Sequence, residues 1–443
     1  MRNNLETVIV RFPPSPTGLL QMGNIRTALY NYLFAKHHGG KFLLRIEDTD
    51  KERSKKEYED AIYDDLNWLG LQHDGEVLKS SQRTEIYKKL LQKLISENKA
   101  YISQETEGEN REVVRFKNPG GKIKFHDLIR GEVEVDVTDL KDFIIARNIN
   151  DPVYHFAVSV DDMESGITHI IRGDDHISNT PRQIMIIEAL GGSRPTYAHI
   201  PLVLAEDKSK LSKRKHGESV SLKYYRDKGY LPEAILNFLA LIGWNPGTDQ
   251  EVFTLEELIA KFDLKKVQKS GGVFNPEKLD WLNKEHLKKL PEEERDKKIK
   301  EKIGNKIPEE IQQKVYPIIF DRINKWSDID TLVEAGELDY FMNPPQYDKN
   351  LLLWKGQSAD TAVKHLEWVM NALKNSEDFS DVEKIKSLIF DYATEHGRGE
   401  VLWPVRVALS GKEKSPDPFT LIYVLGKEES LRRLQTALDM LKA

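Results

Sequence analysis

An α/β domain with a parallel sheet, interrupted by an antiparallel module and followed by helical domains, is the architecture this sequence predicts. Three observations carry it. An apolar run, a helical stripe and a second apolar run follow one another within residues 7–50. Residues 101–145 then switch to alternating apolar and polar positions. Beyond about residue 220 the strand signal fades and helical patterns continue to Ala443. A chain of 443 residues is long enough for several domains.

The first run, "TVIVRF" (7–12), predicts a compact strand. Over 24–38, Ile25, Leu29 and Leu33 recur at i, i+4 and i+8, one face of a helix. Gly39-Gly40 can end that helix in a left-handed conformation. "KFLLRIEDTD" (41–50) is a second strand with acidic residues at its C-terminal end. Strand, helix and strand in this order imply parallel pairing. No G-x-G-x-x-G follows the first strand, so the usual dinucleotide fingerprint is absent. Residues 51–69 and 81–98 read as amphipathic helices. "REVVRFKNPGGKIKFHDLIRGEVEVDV" (111–137) alternates around a Pro-Gly-Gly turn and predicts antiparallel strands. Strand and helix return over 153–190. "LPEAILNFLALIGW", "TLEELIAKF" and "PEEERDKKIKEKI" are helical, and the charge run 284–305 is a solvated helix face.

The bulk properties exclude several classes. No apolar run approaches the roughly 18 residues of a membrane span. "MRNNLETVIV" lacks the apolar core of a leader, so a cytoplasmic protein is expected. Cysteine is absent, which removes disulfides and thiol-based zinc sites. The net charge of −6 does not exclude nucleic acid, because such binding depends on local basic surface.

Three stretches carry chemistry. "RFPPSPTGLLQMGN" (11–24) places a turn rich in Pro, Ser and Gly between a strand and a helix, where anions bind. "EDKSKLSKRKHGES" (206–219) crowds Lys208, Lys210, Lys213, Arg214 and Lys215. It reads as a solvated basic loop or as a clamp for polyphosphate. "IIRGDDHISNT" (170–180) places Arg172 at the end of an apolar strand, the edge where open α/β sheets bind ligands. Arg172, Asp174, Asp175 and His176 could equally form a surface ion-pair cluster.

Together and in this order, these stretches resemble glutamyl-tRNA synthetases of the bacterial type, class I enzymes. "RFPPSPTGLLQMGN" is similar to the family's Arg-Phe-Ala-Pro-Ser-Pro-Thr-Gly turn and His-Ile-Gly-His signature, and "KLSKRKHG" to its Lys-Met-Ser-Lys-Ser loop. "LLRIEDTD", "VYHFAVSVDD" and "ITHIIRGDDHISNTPRQ" resemble its second-strand and substrate segments. "EKLDWLN" and "RVALSGKEKSPDPFTLIYVLGKEESLRRL" resemble its stem-contact and anticodon-domain signatures.

The resemblance implies a Rossmann-like catalytic domain over 1–80 and 146–215 with an inserted acceptor-binding module, here shortened, at 81–145. It further implies a helical stem-contact domain at 216–295 and an α-helical anticodon-binding domain at 296–443. It implies ligation of L-glutamate to tRNA(Glu) through a glutamyl-adenylate, with ATP and Mg²⁺, by a monomeric enzyme; the composition adds that no zinc is expected in a chain without cysteine, and no membrane partner in one without a long apolar run. Arg11, Ser15, Glu47, Tyr154 and Arg172 would hold glutamate. Gln21, Gly23, Asn24, Asp174, Asp175, His176, Lys210 and Lys213 would contact ATP, with Gln21, Lys210, Ser212 and Lys213 serving catalysis. Gly23 would let the backbone approach adenine.

The chain departs from the pattern in places. Gln21 replaces the signature's first histidine, Asn24 its last, and Pro13 the turn's alanine. Gln21 keeps an NH₂ donor but carries no charge, so an active enzyme with a modified phosphate contact is expected. "ETEGENRE" (105–112) replaces the segment that often carries a zinc knuckle. Arg172 argues against a glutaminyl enzyme, and the helical stretch to Ala443 against the short paralogue that glutamylates a modified base. A non-catalytic tRNA-binding or regulatory paralogue, and charging of tRNA(Gln) as well, stay open at this point.

Overall fold

The computed structural model describes residues 7–105 and 112–443 and divides into two units, Met1–His286 and Leu287–Ala443. Most of "ETEGENRE" and the first six residues lie outside the described residues.

In the first unit, β1 (Ile9–Phe12) and β2 (Lys41–Ile46) pair in parallel, with Arg11 opposite Leu43. Between them runs α1 (Met22–His37). The predicted stripe is its buried face: Ile25, Leu29 and Leu33 are fully buried against Val10, Phe42, Leu44 and Ile171. The link back to β2 requires glycine twice. Gly39 adopts φ +64°, and a Cβ on Gly40 would lie 2.2 Å from the carbonyl oxygen of Val8.

The strand His169–Gly173 pairs in parallel with Thr196–Ile200 and places Arg172 opposite His199. Thr168 ties this pair to β1. The Ile9 N–H donates to Thr168 Oγ1 at 2.8 Å, and the Thr168 N–H to the Ile9 carbonyl at 2.9 Å. Asn31 of α1 donates to the Ile171 carbonyl at 2.9 Å, so one helix packs on both strand pairs.

The antiparallel segment divides. Ala100–Gln104, Glu112–Phe116 and Phe143–Asn148 form one antiparallel sheet. The hairpin Lys122–Asp127 with Gly131–Asp136 belongs elsewhere, because Asp127 pairs in parallel with Tyr197 at the edge of the other sheet. The Pro-Gly-Gly turn therefore does not close a hairpin, as its composition suggested. Gly120 and Gly121 take φ of +72° and +84° and pass the chain from one sheet to the other.

The second unit is helical, with Glu309–Arg322, Ala359–Lys374, Val382–His396, Arg398–Ser410 and Pro418–Lys442 as its main helices. Buried Arg433 donates to the carbonyls of Tyr340 and Leu409 and satisfies chain ends that no helix bond reaches. The charge run spans the helices Pro276–Lys289 and Glu292–Ile303; of its apolar residues Leu287, Ile299 and Ile303 turn inward. Among the described residues no helix is long and apolar enough to cross a membrane.

Candidate functional site

A cavity of about 720 Å³ opens at the C-terminal ends of β1, β2 and the strand His169–Gly173. Each strand delivers a side chain where its ladder ends, the edge at which parallel sheets bind ligands. The wall holds Arg11 from β1, Ser15 from the turn after it, and Gln21, Gly23 and Asn24 at the start of α1. Glu47 follows β2, and Tyr154, Arg172, Asp175, His176, Lys210 and Lys213 complete it. Ser212 and Asp174 do not line it. Asp174 is turned to Arg130, 2.6 Å away, and Ser212 precedes the short helix Lys213–His216.

One end of the cavity is a buried charge network. Arg11 grips Asp162 with two bonds of 3.0 and 3.2 Å, and Arg45 reaches the same carboxylate at 2.7 Å. Arg45 also donates to Glu47 at 3.0 Å. Burial opposes the charge on Asp162, but Arg11 and Arg45 outweigh it and keep the carboxyl below its ordinary range. Burial likewise opposes the charge on Arg45, which Asp162 and Glu47 more than restore. Glu47 shows the opposite balance. Burial raises its pKa despite Arg45, leaving a carboxylate that gains from a second cation.

Arg172 is different in kind. It is 5 % exposed, yet all three of its nitrogens bond to neutral acceptors. Nη1 donates to Gln183 Oε1 and Nη2 to Thr180 Oγ1, both at 2.7 Å, and Nε to His199 Nε2 at 3.3 Å. Burial pulls its pKa down, the signature of a desolvated cation without a carboxylate of its own. Two of the five guanidinium N–H donors remain beyond these three bonds.

The other end presents the start of a helix and the basic segment. The first turn of α1 holds no acidic residue, so no carboxylate of its own competes with an anion there. Asn24 Oδ1 accepts the backbone N–H of Gln21 at 3.2 Å and so fixes the helix entry. A Cβ on Gly23 would meet no protein atom within 4 Å, so neither packing nor backbone strain demands glycine there. The open space lies on the cavity side.

The basic segment answers the question its composition raised. Its repulsion is relieved inside the chain: Lys210 pairs with Asp175 at 2.7 Å, Lys213 with Glu218 at 2.8 Å and Lys215 with Asp207 at 2.5 Å. These pairs are about half exposed and screened by water, so each contributes little and phosphate can displace them. An antiparallel bridge joins Gln21 to Ser221, and the Leu222 N–H donates to the Leu20 carbonyl at 3.0 Å. The basic segment and the start of α1 are thus laced together.

Sequence reasoning missed Arg45, Asp162, Asp127 and His199. The signal was present in part. Arg45 interrupts the apolar "KFLLRI", and Asp161-Asp162 ends the apolar "FAVSV". A charge inside an apolar run is either an error of register or a paired functional group.

Comparison with known proteins identifies the family. A family described as tRNA synthetases class I (E and Q), catalytic domain, matches residues 7–112 and 102–281, and an anticodon binding domain matches 277–438. The chain is 39 % identical to a glutamate–tRNA ligase of Thermodesulfovibrio yellowstonii over 98 % of this chain and 99 % of that protein. It is 40 % identical to glutamate–tRNA ligase 1 of Petrotoga mobilis over 97 % of each. A crystal structure of a glutamate tRNA ligase from Elizabethkingia meningosepticum, in complex with its amino acid, superposes with a TM-score of 0.85 at 31 % identity. It covers 98 % of this chain and 100 % of that one.

Proposed function

The chain belongs to the class I tRNA synthetases of the glutamate and glutamine type and ligates glutamate to tRNA, and on that premise we propose how its residues do so. The observation that carries the assignment is Arg172, a buried cation held by neutral groups. The side-chain carboxylate of glutamate meets its two remaining donors. Glu47 takes the substrate ammonium, and Arg11, Ser15 and Tyr154 close the pocket around the amino acid. Glutamine in the same place leaves the guanidinium unpaired, at a cost of about 3–5 kcal/mol.

ATP lies across the start of α1, with adenine over Gly23 and the phosphates between Gln21, Asn24 and the Lys210–Lys213 segment. Asp175 and His176 flank the nucleotide. Asp174 acts one step away, through its bond to Arg130. Mg²⁺ arrives on the phosphates and its water. Among the described residues no three His, Asp or Glu side chains come together as a metal cage.

No protein nucleophile is needed. An α-carboxylate oxygen of glutamate attacks the α-phosphorus, and the bond to pyrophosphate breaks. A hydroxyl of the terminal tRNA ribose then attacks the acyl carbon, and AMP leaves. The chain supplies positioning and charge neutralisation. Ser212 helps through the backbone, by setting the start of the helix that carries Lys213.

The test is charging by the purified protein, with ATP and radiolabelled glutamate, of tRNA(Glu) and tRNA(Gln) side by side. Glutamyl-tRNA(Glu) is expected. Its absence, with tRNA still bound, gives the lead to a regulatory paralogue. We read the enzyme as a cytoplasmic monomer, and acceptance of tRNA(Gln) as a property of the second unit.

Residue 21 provides a sharper test. Its side chain adds to an anion site that α1 already makes. Gln21→His should stay within about 10-fold of wild type. Gln21→Ala should approach the roughly 10²-fold loss seen when a stabilising donor is removed outright. An inert wild type that histidine restores would mean that this position had been inactivated.

A further inference from the structure

We propose that Asp127 and His199 are positioning residues for Arg172, and that they set amino-acid specificity by orienting its guanidinium without neutralising it. The proposal rests on the glutamate-binding reading of Arg172 given above. Asp127 comes from the hairpin at the sheet edge and is fully buried, as is His199. The two residues lie 72 positions apart in the chain.

The Asp127 carboxylate is saturated. Oδ1 accepts the backbone N–H groups of Ile129 and Arg130 at 2.9 and 2.8 Å. Oδ2 accepts the backbone N–H of His199 at 2.9 Å and its ring Nδ1 at 2.7 Å. A group that only accepts faces Nδ1, which assigns the ring proton to that nitrogen. Nε2 is then left as a lone pair. It faces Arg172 Nε at 3.3 Å and Thr180 Oγ1 at 3.0 Å. Burial depresses the His199 pKa in spite of Asp127, so the ring stays neutral beside the guanidinium.

The chemistry follows from that proton. A carboxylate placed directly on Arg172 would orient it equally well but would consume its charge. Asp127 is instead kept one ring away. Its charge is spread over four N–H donors, and what reaches Arg172 is a neutral acceptor. The guanidinium is fixed in direction and keeps an unmatched charge, which a ligand carboxylate satisfies and a carboxamide does not.

The experiment compares His199→Leu, His199→Gln and Thr180→Val with wild type in steady-state charging. It reads the KM for glutamate, the KM for ATP, inhibition by glutamine and the Tm. His199→Leu removes the acceptor and should raise the glutamate KM by about 10-fold. The ATP KM should stay within about 2-fold, and the margin over glutamine should narrow. His199→Gln keeps a carbonyl oxygen for Nε and should recover most of the loss. Thr180→Val removes the Nη2 acceptor while leaving the His199–Asp127 pair intact, and should act in the same direction even where His199→Leu does not fold. Equal kinetics for the leucine and glutamine variants, or an ATP KM that moves as far as the glutamate KM, overturns the proposal. Arg172→Ala separates the two levels. If it leaves the glutamate KM unchanged, the reading of Arg172 fails. If it raises the KM and the acceptor variants do not, only the positioning role fails.

Discussion

Arg172→Ala is expected to raise the KM for glutamate by about 10²–10³-fold while the KM for ATP changes little. Truncating one partner of a buried, hydrogen-bonded charge pair costs about 2–5 kcal/mol, and each 1.4 kcal/mol is tenfold. The estimate applies because the guanidinium is 5 % exposed and its partners within the chain are neutral. A surface arginine would be screened and the loss small. The alanine variant also leaves Gln183 Oε1 without its arginine donor and His199 Nε2 with Thr180 Oγ1 alone, so melting should be followed beside the kinetics. Glutamate kinetics unchanged in a well-folded variant would move recognition to Arg11, whose Nε and Nη2 are taken by Asp162.

Lys213→Ala is expected to slow adenylate formation by about 10²–10³-fold, the range for loss of one group aimed at developing charge. Affinity for tRNA should hold. In the free chain Lys213 rests on Glu218, and both are more than half exposed. Breaking that contact costs little, so its ammonium is available when the pyrophosphate charge grows, and it favours the transition state over the ground state. Single-turnover activation with bound tRNA measures the step. Normal activation combined with weakened tRNA binding would make the segment a nucleic-acid contact.

How far these features were legible follows from their range in sequence. The β1–α1–β2 unit was readable because its signals are local: Ile25, Leu29 and Leu33 repeat on one face, and two glycines end the helix. The cavity was readable because its residues lie in short stretches at strand ends. The fate of Pro119-Gly120-Gly121 was not, since two left-handed residues suit a hairpin and a crossing between sheets equally well. Asp127 was hidden for a related reason. "KIKFHDL" alternates like any edge strand, and only the parallel contact with Tyr197 brings its aspartate under His199. Arg11 was chosen for its charge, but its tie to Asp162 spans 151 positions and leaves no local trace.

The bridge between Gln21 and Ser221 makes the two phosphate-facing stretches one mechanical part. A shift of the chain at 221 tilts the first turn of α1. A change at 21 is felt where the basic segment rejoins the fold. Side chains that never touch are therefore coupled through a shared rung of backbone. Substitutions at 21 and at 220–222 should combine non-additively, so that the effect of glutamine or histidine at 21 depends on what stands across the rung.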